Sequence, residues 1–204
     1  RDLEPFRRFL EVAAQCSGEI INYNNIAKDV GAAPKTIQAY FSILEDTLVG
    51  FHLPAYHKSV RKQQLKNPKF LFFDSGVQRA LAHILGTGIK LGTSDYGKYF
   101  ESWVIQAAHR LNEYKRTDYR FYYLCTVRNS EIDLIVERPG QATALIEIKS
   151  KTQVDERDTK TLESYLDLFK GAQAYCFSQD RIRKKIGRVI ALSWEDGLRE
   201  IGLG

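Results

Sequence analysis

Residues 130–151 limit what this chain can fold into more than any other stretch. Two runs rich in Ile, Leu and Val flank Arg138-Pro139-Gly140-Gln141. Pro-Gly is a strong turn signal and such runs favour strand interiors, so the pattern predicts two strands joined by a turn. Acids interrupt both strands at period two. On the first, Glu131, Asp133, Ile135 and Glu137 share one face and Ile132, Leu134 and Val136 the other. On the second, Leu145, Glu147 and Lys149 lie opposite Ile146 and Ile148. Paired as a hairpin, these strands bring Asp133, Glu147 and Lys149 onto one patch. Two carboxylates beside a lysine on rigid strands suit metal-assisted attack on a phosphodiester. Carboxylate oxygens hold a hard cation and leave room for water and phosphate oxygens. The lysine orients the attacking water or neutralises charge developing on the phosphate. The same alternation also describes the solvated face of an antiparallel sheet. A Glu-x-Lys pair on such a face is a surface ion pair worth about 0–1 kcal/mol. Spacing alone leaves both readings open.

The chain has 204 residues, 44% hydrophobic and 27% charged, which suits a globular protein with a substantial core. Its net charge of +5 favours an anionic partner, but the surplus is divided along the chain and forms no basic tail. Cys16, Cys125 and Cys176 fit neither a zinc spacing nor a disulfide framework, so a reducing cytoplasm is expected. No apolar run is long enough to span a bilayer, and no membrane partner is expected. The chain opens on Arg1 and contains no methionine, as expected of a piece of a longer protein.

Along the chain, Phe6, Phe9, Leu10, Ala13 and Ala14 recur at helical spacing. Asn22 or Asn24 caps a short helix to Val30, and Gly31 ends it. A third helix opens at Ala33-Pro34-Lys35-Thr36. Helix, short helix, tight turn and helix form a helix-turn-helix pattern. Strands are expected at Val49–Tyr56 and Lys69–Phe73. Between them residues 57–69 carry five basic side chains and no acid. Such a basic hairpin after a helix-turn-helix looks like a winged helix, a duplex-DNA-binding unit with its third helix in the major groove and its wing on phosphates. Lys35, Thr36 and Gln38 on that helix, and Lys58, Arg61, Lys62 and Lys66 on the wing, are the candidate contacts. Winged helices also serve as protein-docking modules. Asp74 caps a helix expected over Gly76–Leu85, and Gly86–Gly97 reads as a linker. The strongest helical pattern runs from Asp95 or Tyr96 to Lys115, with Glu101 on the edge of its apolar stripe. A strand over Tyr119–Val127, a helix over Asp155–Phe169 and strands over 172–177 and 188–192 complete the series. Arg183, Lys184 and Lys185 form a second basic cluster, able to hold phosphates or simply to be solvated.

An Asp on one strand followed by Glu-x-Lys on the next, here Asp133, Glu147 and Lys149, resembles the core motif of the PD-(D/E)xK nuclease superfamily. Glu101 answers that family's acid on the preceding helix. The resemblance implies a mixed α/β fold: a winged helix-turn-helix (1–73), a helix and linker (74–94), and a restriction-endonuclease-like αβββαβ core with a central mixed sheet (95–204). The whole chain also resembles the C-terminal half of a family of bacterial and archaeal AAA-type ATPases. The blocks that carry this are Lys69–Gly76, Gly97–Glu101, Glu131–Val136 and Ile146–Ser150. It implies Mg2+ or Mn2+ held by Asp133, Glu147, the backbone carbonyl of Ile148 and Glu101, with Lys149 assisting the attacking water. It further implies nucleic acid as partner, oligomerisation as an option, and a preceding ATPase domain that would carry the ATP. This stretch has no Walker motif and is not expected to hydrolyse ATP. Ile132 stands where the motif has proline, and Thr161, four residues before Tyr165, stands where some exonuclease branches carry glutamine. The alternative is a catalytically idle nuclease-like fold serving recognition or assembly for an ATPase.

Overall fold

A computed structural model describes residues 3–57, 66–126 and 130–204, and within them the chain forms two compact units, Arg1–Ile89 and Lys90–Gly204. The described residues hold seven helices, a two-stranded sheet and a six-stranded mixed sheet. No helix among them is long and apolar enough to cross a membrane.

In the first unit α1 (Glu4–Gln15), α2 (Tyr23–Val30) and α3 (Pro34–Asp46) precede β1 (Gly50–Leu53), β2 (Lys69–Phe72) and α4 (Ser75–Leu81). Asn22 caps α2 by accepting the Asn25 N–H at 3.1 Å. Gly31 ends it at φ +74°, a left-handed conformation that costs glycine no Cβ strain. Pro34 opens α3, where its missing N–H leaves nothing unsatisfied. Phe9, Ile26, Ile37, Phe41, Phe70 and Phe72 close the core, with aromatic rings in edge and tilted contacts. The antiparallel pair β1–β2 registers Phe51 against Leu71. Its strands are shorter than expected, as is α4. Asp74 caps α4, accepting the Val77 N–H at 2.9 Å. The expected wing residues Lys58, Arg61 and Lys62 lie outside the described residues.

In the second unit α5 (Ser94–Lys115) precedes β3 (Arg120–Cys125), β4 (Glu131–Glu137) and β5 (Ala144–Lys149). Then follow α6 (Glu156–Tyr165), β6 (Gln173–Ser178), β7 (Lys184–Ile186), β8 (Val189–Ser193) and α7 (Trp194–Glu200). The strand order is β3-β4-β5-β6-β8-β7. β3–β4, β4–β5 and β7–β8 pair antiparallel, while β5–β6 and β6–β8 pair parallel. A parallel pair needs a crossover, and α6 supplies it between β5 and β6. Both α5 and α6 pack on β5.

Three expectations need correction here. Helix α5 begins at Ser94, capped by Thr93, so Gly97 is helical and not part of a linker. The basic segment near 184 is not a loop: β7 pairs with β8 because Lys184 finds Asp180 and Arg183 finds Glu200, which neutralises a strand too charged to show a pattern. Helix α6 stops at Tyr165, four residues earlier than its apolar pattern suggests.

Candidate active site

Strands β4 and β5 lie inside the sheet, and nearly every residue of both is buried. An antiparallel hairpin with one wet face would leave its acids in water. Here Asp133 is 8% exposed and Glu147 7% exposed. The solvated-face reading of the alternation therefore fails, because helices cover the sheet.

The β4–β5 ladder pairs Leu134 with Ile146 and goes no further toward residue 133. One step beyond, the Asp133 carboxylate accepts the Ile148 N–H at 2.7 Å. A side chain on β4 thus satisfies a backbone donor of β5 just past the last paired residues. Glu147 Oε1 takes the Lys149 ammonium at 2.5 Å. Its Oε2 is buried without a hydrogen-bond partner among the described residues. Buried polar atoms in native proteins are rarely left so, and each one calls for an explanation. Glu101, half-buried on α5, acts electrostatically on both Asp133 and Glu147. The four motif residues are therefore electrostatic neighbours.

Burial and the neighbouring charges shift their titration. Burial, reinforced by Glu101 and Glu147, raises the Asp133 carboxyl well above the usual range, against the opposing pull of Lys149 and the Ile148 N–H. Burial likewise raises Glu147 despite its contact with Lys149, with Glu101 and Glu131 adding to the effect. Burial works to lower Lys149, but Glu147 and Asp133 outweigh it and its pKa rises, so the ammonium keeps its proton. One cation faces several acids in a dry place. Such a cluster weakens the fold, and perturbed groups of this kind gather at functional sites.

Among the described residues, no three His, Cys, Asp or Glu side chains stand close enough together to hold a metal ion as a group. The hard oxygens on offer are the second Asp133 oxygen and Glu147 Oε2. This set fits an ion that takes one or two carboxylates and fills its remaining positions with water and phosphate, as Mg2+ does. It does not fit a closed structural site.

Residues with no assigned role in the sequence reading surround the four. Glu131, on the Asp133 face of β4, acts on Glu147. Cys176 registers beside Glu147, and burial foremost pushes its thiol up to about 12. The Tyr165 hydroxyl donates to the Ser130 carbonyl at 3.3 Å, tying α6 to the start of β4. Period two already put Glu131 on the right face. Nothing local marked Cys176, which a crossover brings alongside.

The candidate nucleic-acid contacts fall in two groups. Lys35 and Gln38 on α3 and Lys66 before β2 are exposed, and Thr36 is half-buried. Arg183 makes a two-pronged ion pair with Glu200 at 2.9 and 3.0 Å, and Lys184 pairs with Asp180 at 2.6 Å; Arg183 and Lys185 are exposed and Lys184 is half-buried.

Residues 1–89 match the family described as Domain of unknown function (DUF8612), and residues 96–196 match Domain of unknown function (DUF4143). Neither description names an activity. No curated protein matches the chain. Among solved structures, a chain in the "Refined half-complex from tetradecameric assembly of Thermococcus gammatolerans McrB AAA+ hexamers with bound McrC" is 10% identical. That likeness covers 92% of this chain and 70% of that one at a TM-score of 0.34. At that level, the site has to be read from its own residues.

Proposed function

We propose that the second unit is a metal-dependent phosphodiesterase of the PD-(D/E)xK kind acting on nucleic acid. In this reading the first unit is a winged helix that delivers duplex DNA, and the chain is the C-terminal part of an AAA-type ATPase. The observation that carries the proposal is the burial of Asp133 and Glu147 beside Lys149, with Glu147 Oε2 lacking a hydrogen-bond partner among the described residues. Domains of the family matched by residues 96–196 are typically found in AAA-ATPase-associated proteins, which supports the link to an ATPase.

Asp133 and Glu147, with the Ile148 carbonyl and Glu101, are the groups that would hold Mg2+ or Mn2+. A divalent cation bound there supplies a water of lowered pKa and charge neutralisation at the phosphate. Asp133 contributes a carboxylate whose angle is set by the Ile148 N–H. Lys149 acts as a donor, not as a general base, because its neighbours hold it in the charged form. It positions the nucleophilic water or meets the negative charge of the pentacovalent transition state with a fixed ammonium. Helices α5 and α6, packed on β5, keep bulk water from the acids, which strengthens every charge interaction among them.

The test is cleavage of labelled duplex DNA, single-stranded DNA and RNA by the whole chain in Mg2+ and in Mn2+. Asp133→Ala and Lys149→Ala should each abolish cleavage, while Lys149→Ala keeps metal binding. No cleavage of any substrate by wild type removes the activity. The second reading, an idle nuclease-like module that serves recognition or assembly for an ATPase, then takes over.

A further inference from the structure

Beyond Lys149 the chain carries another lysine whose position the motif does not account for. Lys151 Nζ lies 2.5 Å from Asp158 Oδ1. The Lys151 side chain is 52% exposed, whereas that of Asp158 is 6% exposed. The capping box of α6 explains Asp158 Oδ2, which accepts the Asp155 N–H at 3.1 Å. It does not explain why Oδ1 holds a half-exposed lysine.

The segment that bears Lys151 is clamped. The Lys151 carbonyl accepts the Gln179 N–H at 2.9 Å, so this stretch stays tied to the chain leaving β6. Farther on, buried Asp180 accepts the Val154 N–H at 3.2 Å and pairs with Lys184, which also donates to the Val154 carbonyl. Gly97, in the first turns of the 22-residue helix α5, lies against Ser150, the residue between the two lysines in sequence. Lys149 ends β5 and Lys151 follows it two residues later, a step that spans at most about 7 Å between Cα atoms. That step is close to the separation of successive phosphates along one nucleic-acid strand. An ammonium has three N–H donors. Asp158 engages one, in a geometry already fixed before any ligand arrives.

We propose that Lys151, positioned by Asp158, is a second phosphate-binding residue of this site, so that the site grips one strand through two successive phosphates. The proposal rests on the phosphodiesterase reading and adds to it a substrate of at least two phosphates, with Lys149 on the reacting phosphate and Lys151 on its neighbour.

The experiment titrates the whole chain calorimetrically, in Mn2+ and at low salt, with thymidine 3′,5′-bisphosphate and with thymidine 5′-monophosphate. Wild type should bind the bisphosphate about tenfold more tightly, the size of one charge-assisted hydrogen bond. Lys151→Gln should erase that preference while sparing monophosphate binding, with far-UV circular dichroism showing that the variant is folded. Lys151→Arg should keep the preference and Asp158→Asn should weaken it. A preference that survives Lys151→Gln, or a wild type that binds both probes equally or neither, overturns the proposal. Failure of the metal reading looks different: Mn2+ then leaves the wild-type unfolding transition unmoved, whatever the nucleotides do.

Discussion

Replacing Asp133 with Asn should stabilise the second unit at neutral pH and do little in acid. The Asp133 carboxyl is raised in the folded state, chiefly by burial and then by Glu101 and Glu147. Between its unfolded and folded pKa values, the folded protein keeps a proton that the unfolded chain has released. Stability therefore falls as pH rises through that window, and is fully present only below the unfolded value. The unfolded carboxyl titrates near 3.9, and each pH unit above it is worth about 1.4 kcal/mol. The largest effect available at pH 7 is then about 4 kcal/mol. Asn is isosteric, uncharged, and able to accept the Ile148 N–H in the same place, so the variant loses little of what Asp133 contributes structurally. Urea denaturation in EDTA measures the difference. The chain's two tryptophans, Trp103 and Trp194, both lie in the second unit with ring centroids 4.3 Å apart, so their fluorescence follows that unit. Asp133→Asn should exceed wild type at pH 7, by at most about 4 kcal/mol, and the gap should narrow toward zero at pH 4. A variant less stable than wild type at pH 7, or one with the same advantage at both pH values, would refute the reasoning.

Other predictions concern the periphery of the site and the first unit. On a duplex oligonucleotide, a gel-shift titration should show weak binding that falls steeply with salt, by a log–log slope of about −0.9 for each phosphate contact. Lys58→Ala, Arg61→Ala, Lys62→Ala and Lys66→Ala together should flatten that slope, and binding unchanged by them would remove the wing from the interface. Cys176, with its thiol held at about 12 and its side chain buried, should resist iodoacetamide at pH 8 in the native protein and react once unfolded. Mass mapping of the labelled cysteines decides this. Arg138 is buried and binds the Ala142 carbonyl and Gln173 Oε1, tying the β4–β5 turn to β6. Arg138→Ala should destabilise the second unit by about 3 kcal/mol, read as a lower urea midpoint.

Much of the site was legible because period two carries its own geometry. Asp133, Glu147 and Lys149 had to share a side of two neighbouring strands, and the apolar stripe of α5 set Glu101 at its edge. Burial was not legible, since alternating acids look the same on a wet face as on one covered by helices. What decides is tertiary: α5 and α6 both pack on β5. Specific charge pairings and cross-strand neighbours were also invisible. Lys184 with Asp180 and Arg183 with Glu200 make a strand of a segment that reads as a solvated cluster. Cys176 reaches Glu147 only through the α6 crossover. The short helices ended early for local reasons that apolar spacing does not encode, and α5 began early because Thr93 caps it.

The proposed phosphodiesterase needs Asp133 and Glu147 to bind a divalent cation. Ligand binding to the folded state alone raises unfolding free energy, by about 2.7 kcal/mol at a hundredfold excess over Kd. The deciding measurement is tryptophan-monitored urea unfolding of the whole chain in EDTA, in Mg2+ and in Mn2+. Wild type should gain about 2–3 kcal/mol at saturating Mn2+, Lys149→Ala should keep that gain, and Asp133→Asn and Glu147→Gln should lose it. A wild-type transition that neither millimolar Mn2+ nor Mg2+ moves would contradict the account.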